Sequence, residues 1–114
     1  YHIDSLMEDF FGFYSYQKSK LHPVILAAEM HERLVSIHPF IDGNGRTSRL
    51  IMNLILLREG YTRVNIKGDL QSRLRYYECL ERVQIDNDRI PFYELVLDEL
   101  IRSLKEYLSL TNSN

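Results

Sequence analysis

The chain has 114 residues, of which 45% are hydrophobic and 26% charged, and its formal net charge is -2. This length suits one compact domain with one core, and the near balance of charge argues against nucleic acid or an anionic membrane as a partner. The single cysteine, Cys79, excludes an internal disulfide and a cysteine-built metal cluster and is compatible with a reducing compartment.

No apolar run approaches the roughly 20 residues that cross a bilayer, and the first residues lack the layout of a secretory signal. We therefore predict a cytoplasmic protein with no membrane segment. The chain opens at Tyr1 without an initiator methionine, which suggests a piece of a longer protein.

Apolar residues recur with the helical period along most of the chain, so the sequence predicts an all-α fold. A first helix is expected to begin at Asp4 or Ser5 as its cap and to end in the polar stretch 15–20. The second begins with Pro23 in its first turn, where the missing amide is harmless, and runs to about Ile37.

A third helix is predicted from near Asn44 to Glu59, with Gly60 ending it. Its apolar residues are so numerous that we expect the helix to be central. They are Leu50, Ile51, Leu54, Ile55 and Leu57.

Two further helices complete a compact bundle of about five. The fourth is expected to start at Gly68 and Asp69 and to reach about Val83. The fifth follows the turn 86–91 and extends to about Leu108, and residues 111–114 are predicted to form a disordered tail.

The loop between the second and third helices has the composition of an anion site. Gly43 and Gly45 allow backbone amides to approach a ligand, and the amino end of the third helix directs its N–H groups and positive dipole end to the same place. Arg46 and Arg49 are three residues apart, so they share a face and could clamp further phosphate oxygens. Because arginines in a first turn oppose the helix dipole, this pattern favours a bound polyphosphate.

Two further side chains add chemistry to this loop. Asp42 would repel bare phosphate but would be favourable if it held a hard cation such as Mg²⁺. His38 follows the second helix and could accept a proton from an attacking hydroxyl. Taken singly, these residues also have ordinary interpretations, as a helix C-cap and a turn. A metal hydrolase built on His31 and Glu32 is weakly supported because the zinc-helix spacing of four is absent, and His31 is expected to be structural.

The whole segment resembles the signature of Fic domains, H-P-F-x-[D/E]-G-N-[G/K]-R-x-x-R. It agrees at every defined position, namely His38, Pro39, Phe40, Asp42, Gly43, Asn44, Gly45, Arg46 and Arg49. The neighbouring stretches 21–28 and 49–61 also look like Fic sequences. The resemblance implies a Fic catalytic core over residues 1–110, with the active-site loop between two central helices.

The resemblance also implies an activity, the transfer of a nucleoside monophosphate, usually AMP from ATP, to a Ser, Thr or Tyr hydroxyl of a target protein. His38 would then be the catalytic base, Asp42 would bind Mg²⁺, and Phe40 would anchor the loop. The other implied nucleotide-binding residues are Gly43, Asn44 and Gly45 for the α- and β-phosphates, Arg46 for the leaving phosphates and Arg49 for the γ-phosphate.

Three positions refine this expectation. The related Doc toxins have lysine at the position of Gly45 and phosphorylate their target, so glycine favours AMP transfer. Tyr76 and Tyr77 fall where family members often have aromatic residues near the nucleotide base, although such a pair is more often half-buried core.

Two departures from the family leave alternatives open. We find no β-hairpin flap in residues 1–21 and no inhibitory [S/T]-x-x-x-E-[G/N] motif, so an inhibitory helix would lie in a missing segment or on a partner chain. The alternatives are removal of AMP from a modified protein and a non-catalytic helical module that binds nucleotide or another protein. The nucleotide could also be UMP, and the sequence does not indicate an oligomeric state.

Overall fold

The computed structural model describes residues 2–37, 43–66 and 69–112 and contains five helices and, within those ranges, no strand. The all-α prediction is therefore confirmed. The helices are α1 (His2–Gln17), α2 (Pro23–Ile37), α3 (Asn44–Arg58), α4 (Leu70–Asp86) and α5 (Ile90–Asn112). They fall into two compact units, Tyr1–Glu59 and Gly60–Asn114. A single catalytic core over residues 1–110 stays a prediction.

Local signals set the helix ends of the first unit. The exposed side chain of His22 accepts a hydrogen bond from the N–H of Val24 at 3.2 Å, and Pro23 is the first residue of α2 as predicted. Gly60, the first residue of the second unit, adopts a φ of 87° directly after the Glu59 cap of α3. Such a left-handed residue is the usual stop of a helix. α1 begins earlier than predicted, since it already includes His2 and Ile3.

The first unit is built around α2, which packs against both α3 and α1. Ala27 and Ala28 are completely buried, and small side chains of this kind let neighbouring helices approach closely. Larger buried side chains fill the space between the helices. They are Phe10 on α1, Val24, Leu26, Met30 and Leu34 on α2, and Met52, Ile55 and Leu56 on α3.

α3 packs against α2, but three of its leucines lie outside the core. Leu50, Leu54 and Leu57 are 58%, 56% and 49% exposed. They follow one another at the spacing of one helix face. The buried residues Met52 and Ile55 lie on the other face, so the apolar sequence of α3 divides into a packed side and an open side.

The second unit is a pair of packed helices, α4 and α5. Asp69 caps α4 by accepting a hydrogen bond from the N–H of Ser72 at 2.9 Å, as its position in the sequence predicted. Asn87 ends the helix in the left-handed conformation with a φ of 55°. Between the helices, the rings of Tyr76 and Phe92 lie 6.3 Å apart.

The last helix is longer than the sequence predicted. It continues through Thr111 and Asn112, where a disordered tail was expected, and residues 113 and 114 lie outside the described part of the chain. None of the described helices combines the length and the apolar character needed to span a bilayer.

Candidate functional site

The predicted site residues divide into those that the structure describes and those that it does not. Gly43 immediately precedes α3, and Asn44, Gly45, Arg46 and Arg49 all belong to its first two turns. The remaining loop residues, His38, Phe40 and Asp42, lie outside the described ranges, as does the predicted helix start Gly68.

Gly43 gives α3 an unusual beginning. It has a φ of 83° and a ψ of 10°, a left-handed conformation that glycine adopts without steric cost. Its carbonyl accepts the N–H of Thr47 at 2.9 Å, which is the first bond of the helix. Among the described residues no side chain caps this end, in contrast to Asp69 at the start of α4. The first N–H groups of a helix point outwards along its axis, so an uncapped end can receive an anion.

The two arginines of the motif fold back towards this end of the helix. A methyl group added at Gly43 would lie 3.2 Å from Nη2 of Arg46, and one added at Gly45 would lie 3.2 Å from Nη1 of Arg49. Each glycine therefore provides the space that a guanidinium group occupies. Any side chain at these two positions would reduce that space, so the position of each arginine depends on its glycine.

This arrangement concentrates positive charge at one point. Two guanidinium groups lie beside a helix amino end that carries its own positive partial charge, which is unfavourable unless an anion compensates. Arginine presents several N–H donors in a planar fork that matches phosphate oxygens. The geometry is thus suited to a group with several phosphate oxygens, and phosphate binding at these residues stays a prediction.

Two residues that the sequence did not assign to the site support this helix end. Ser48 is completely buried, and its hydroxyl donates to the carbonyl of Asn44 at 2.7 Å. His31 on α2 is also completely buried and hydrogen-bonds the backbone of Ser48. Burial lowers the pKa of His31 from 6.5 to about 4; the bond to Ser48 opposes this shift, and the charge of Arg49 adds to it. The imidazole is therefore neutral at pH 7.

The tyrosine pair predicted near the nucleotide base lies on α4 of the second unit. Tyr76 is 6% exposed and packs against Phe92, so it belongs to the core of that unit. Tyr77 is 61% exposed, and its ring lies 5.4 Å from that of Tyr76. A role in binding the base stays a prediction for both residues.

Binding of Mg²⁺ also stays a prediction. Within the described ranges, no three His, Cys, Asp or Glu side chains are grouped so that they could hold a metal ion. Asp42, the predicted Mg²⁺ ligand, lies outside those ranges. Cys79 is buried and donates to the carbonyl of Pro91 at 3.5 Å, and its burial raises the pKa of the thiol.

Comparisons with known proteins agree with the motif. Residues 1–56 match the sequence model of the Fic/DOC family. The chain is 46% identical over 111 residues to the "Protein adenylyltransferase Fic" of Culex quinquefasciatus, which covers 96% of this chain and 22% of that protein. It is 47% identical over 98 residues to the protein of the same name from Drosophila grimshawi, covering 86% of this chain and 20% of the relative. The chain thus spans about a fifth of the length of these curated relatives.

Solved structures show the same similarity in three dimensions. Fic-1 from C. elegans superposes with a TM-score of 0.87 at 30% identity, covering 97% of this chain and 33% of that one. A Fic domain containing signaling protein from Bacteroides thetaiotaomicron gives a TM-score of 0.84 at 33% identity, covering 90% and 43% of the two chains. Together with the complete motif and the arrangement of its glycines and arginines, these similarities show that the chain belongs to the Fic/DOC family.

Proposed function

We propose that this chain transfers AMP from ATP to a Ser, Thr or Tyr hydroxyl of a target protein. The observation that carries the proposal is that Arg46 and Arg49 lie over Gly43 and Gly45 at the amino end of α3, where no side chain of the described ranges forms a cap. Such an end can bind the triphosphate of ATP. The relatives named as protein adenylyltransferases support the nature of the reaction.

In the proposed reaction the hydroxyl oxygen of the target attacks the α-phosphorus of ATP. The new P–O bond forms as the bond from the α-phosphorus to the bridging oxygen of the β-phosphate breaks, and pyrophosphate leaves. His38 accepts the hydroxyl proton as general base. The amides of Gly43, Asn44 and Gly45 hold the α- and β-phosphates, and Arg46 stabilises the negative charge that develops on the leaving group.

The remaining residues orient the substrate. Arg49 grips the γ-phosphate and so aligns the α-phosphate with the incoming hydroxyl. Phe40 anchors the loop. Asp42 is the residue proposed to bind Mg²⁺, because a carboxylate beside a phosphate site is favourable when a hard cation lies between them. A bound Mg²⁺ would supply charge neutralisation at the phosphate oxygens.

Gly45 supports AMP transfer in preference to phosphorylation. A methyl group at this position would already meet Nη1 of Arg49 at 3.2 Å, so a longer side chain would displace the guanidinium group proposed to hold the γ-phosphate. Neither removal of AMP nor a non-catalytic module is favoured by the names of the relatives. A cytoplasmic location, an inhibitory helix and the oligomeric state stay outside the proposal.

The proposal is tested by following two labels. Incubated with a lysate, Mg²⁺ and ATP labelled at the α- or the γ-phosphate, the chain should transfer label from the α-position alone. His38→Ala should abolish the transfer. The matched control is His22→Asn, which changes an exposed histidine for a residue that also caps helices. Transfer of label from the γ-position would indicate kinase chemistry in place of AMP transfer. Wild-type activity of the His38→Ala variant would show that His38 is not the general base.

A further inference from the structure

His31 is a completely buried histidine for which the proposed reaction has no chemical role. Burying an imidazole costs free energy that an apolar side chain of similar size would not cost. Its pKa of about 4 keeps it neutral at pH 7, so it does not act as a charge. A buried polar group of this kind is retained in a core when its hydrogen bond fixes a particular geometry.

The hydrogen bond of His31 connects two helices. His31 lies on α2, and the backbone of Ser48 that it contacts lies on α3. The contact raises the pKa of the imidazole, which identifies the ring as the donor and the carbonyl of Ser48 as the acceptor. Since this donor is neutral, it holds α3 without adding another positive charge beside Arg49.

Ser48 extends the connection to the start of α3. Its own hydroxyl donates to the carbonyl of Asn44 at 2.7 Å, and Asn44 is the first residue of the helix. Two hydrogen bonds in series therefore run from the middle of α2 to the turn that carries the proposed phosphate-binding amides. Rotation or sliding of α3 against α2 would break the first of them.

The same helix leads directly to the proposed base. α2 ends at Ile37, and His38 is the next residue in the sequence. α2 thus contacts α3 through His31 and directly precedes the proposed base in the sequence. We therefore expect the register of the two helices to affect the spacing between base and phosphate site, and such spacing decides catalytic rates.

We infer that His31 is a positioning residue, which locks the first turns of α3 against α2 through the carbonyl of Ser48 and so holds the phosphate-binding arginines and amides in place. The inference rests on the proposed function for its effect on catalysis. Its structural part, the locking of the helix, stands without a nucleotide.

The experiment uses four variants of His31 and its surroundings. His31→Leu and His31→Phe both remove the hydrogen-bond donor. One replaces the ring by a branched aliphatic group and the other by a larger aromatic ring, so that a packing defect in one variant does not decide the result. His31→Gln keeps a neutral donor. Leu34→Val is the matched control, because Leu34 is buried on the same helix and only core volume is lost there.

The first readout is amide hydrogen exchange along α3. In the Leu and Phe variants we expect the amides of residues 47–49 to exchange about tenfold faster relative to those of residues 55–56, whereas the Gln variant and Leu34→Val keep the wild-type ratio. The second readout is calorimetric titration with ATP and Mg²⁺, where the apolar variants should bind about tenfold more weakly, a loss typical of residues that orient a ligand-binding group.

The outcomes separate the inference from the proposed function. An unchanged exchange ratio in both apolar variants overturns the positioning role, whatever the affinity for ATP. A wild-type chain that binds no ATP contradicts the proposed function, and the exchange ratio then still decides whether His31 locks α3. If the exchange ratio also changed in Leu34→Val, general destabilisation and not the loss of the hydrogen bond would explain the faster exchange of residues 47–49.

Discussion

The guanidinium group of Arg49 lies over Gly45, where a methyl group would approach its Nη1 to 3.2 Å. Arg46 stands in the same relationship to Gly43, again with 3.2 Å from the added methyl group to Nη2. The glycines of the motif therefore matter in two ways, through the backbone they allow and through the arginines they accommodate. Substitutions at the two positions separate these effects.

At Gly45 the added methyl group acts on the arginine and not on the backbone conformation. Alanine favours a helix over glycine by up to about 1 kcal/mol, so we expect Gly45→Ala to keep or raise the melting temperature. We also expect its affinity for ATP to fall about tenfold, or about 1.4 kcal/mol, because Arg49 is displaced. Thermal unfolding and calorimetric titration measure the two effects.

The control for this prediction is Gly12→Ala on α1. A methyl group there meets no atom within 4 Å, so it adds helix propensity alone. Both alanine variants should be at least as stable as the wild type, and only the variant at position 45 should bind ATP weakly. Equal affinities of the two variants would show that the space over Gly45 is not needed.

At Gly43 the backbone is affected as well. With a φ of 83°, an alanine there is strained by about 1–2 kcal/mol, and the denaturant midpoint should fall accordingly. Gly60→Ala provides the comparison, since Gly60 has a φ of 87° but nothing within 4 Å of the added methyl group. Both variants should lose similar stability, while the affinity for ATP should fall only in the Gly43 variant. Normal ATP binding by that variant would contradict the assigned phosphate site.

The five helices and most of their ends could be predicted from the sequence because the signals that determine them are local. Pro23 starts α2, Gly60 follows the end of α3 and Asp69 caps α4, each through bonds or dihedral angles within a few residues. The early start at His2 and the late end at Asn112 were missed. At the first helix, the expected caps Asp4 and Ser5 lie inside α1 and not before it.

Packing decided what the sequence left undetermined. In α3 the apolar residues occur on two faces, and the sequence alone does not indicate which of them faces α2; the structure buries Met52 and leaves Leu54 exposed. The bond from His31 to Ser48 joins residues that are distant in the sequence and depends on how two helices pack. Motif spacing therefore indicated the proposed phosphate-binding residues but not the buried side chains that pack beside them.

The lowered pKa of His31 makes the stability of the chain depend on pH. The unfolded chain takes up a proton on this residue near 6.5, whereas the folded chain does so only near 4. The contribution of the neutral imidazole is complete above pH 6.5 and is lost progressively as the pH falls towards 4. The total loss is on the order of 3 kcal/mol, obtained from the size of the pKa shift.

Urea unfolding at a series of pH values tests this dependence. His31→Gln has no titrating group at the position, so its stability should fall less between pH 6.5 and pH 4 than that of the wild type. Leu34→Val changes no titrating group, so it should keep the full wild-type slope. Parallel curves for wild type and His31→Gln would mean that another group causes the acid sensitivity.

The neighbouring tyrosines of α4 should differ in how much their truncation lowers stability. Tyr76 is 6% exposed and its ring packs against Phe92, so Tyr76→Ala should cost about 3 kcal/mol of stability by leaving a cavity. Tyr77 is 61% exposed, and Tyr77→Ala should change stability by less than about 0.5 kcal/mol. Denaturant midpoints of the two variants give the comparison directly. If Tyr77→Ala proved as destabilising as Tyr76→Ala, its ring would have to be covered in solution, and an ATP titration of that variant would then show whether nucleotide binding is affected too.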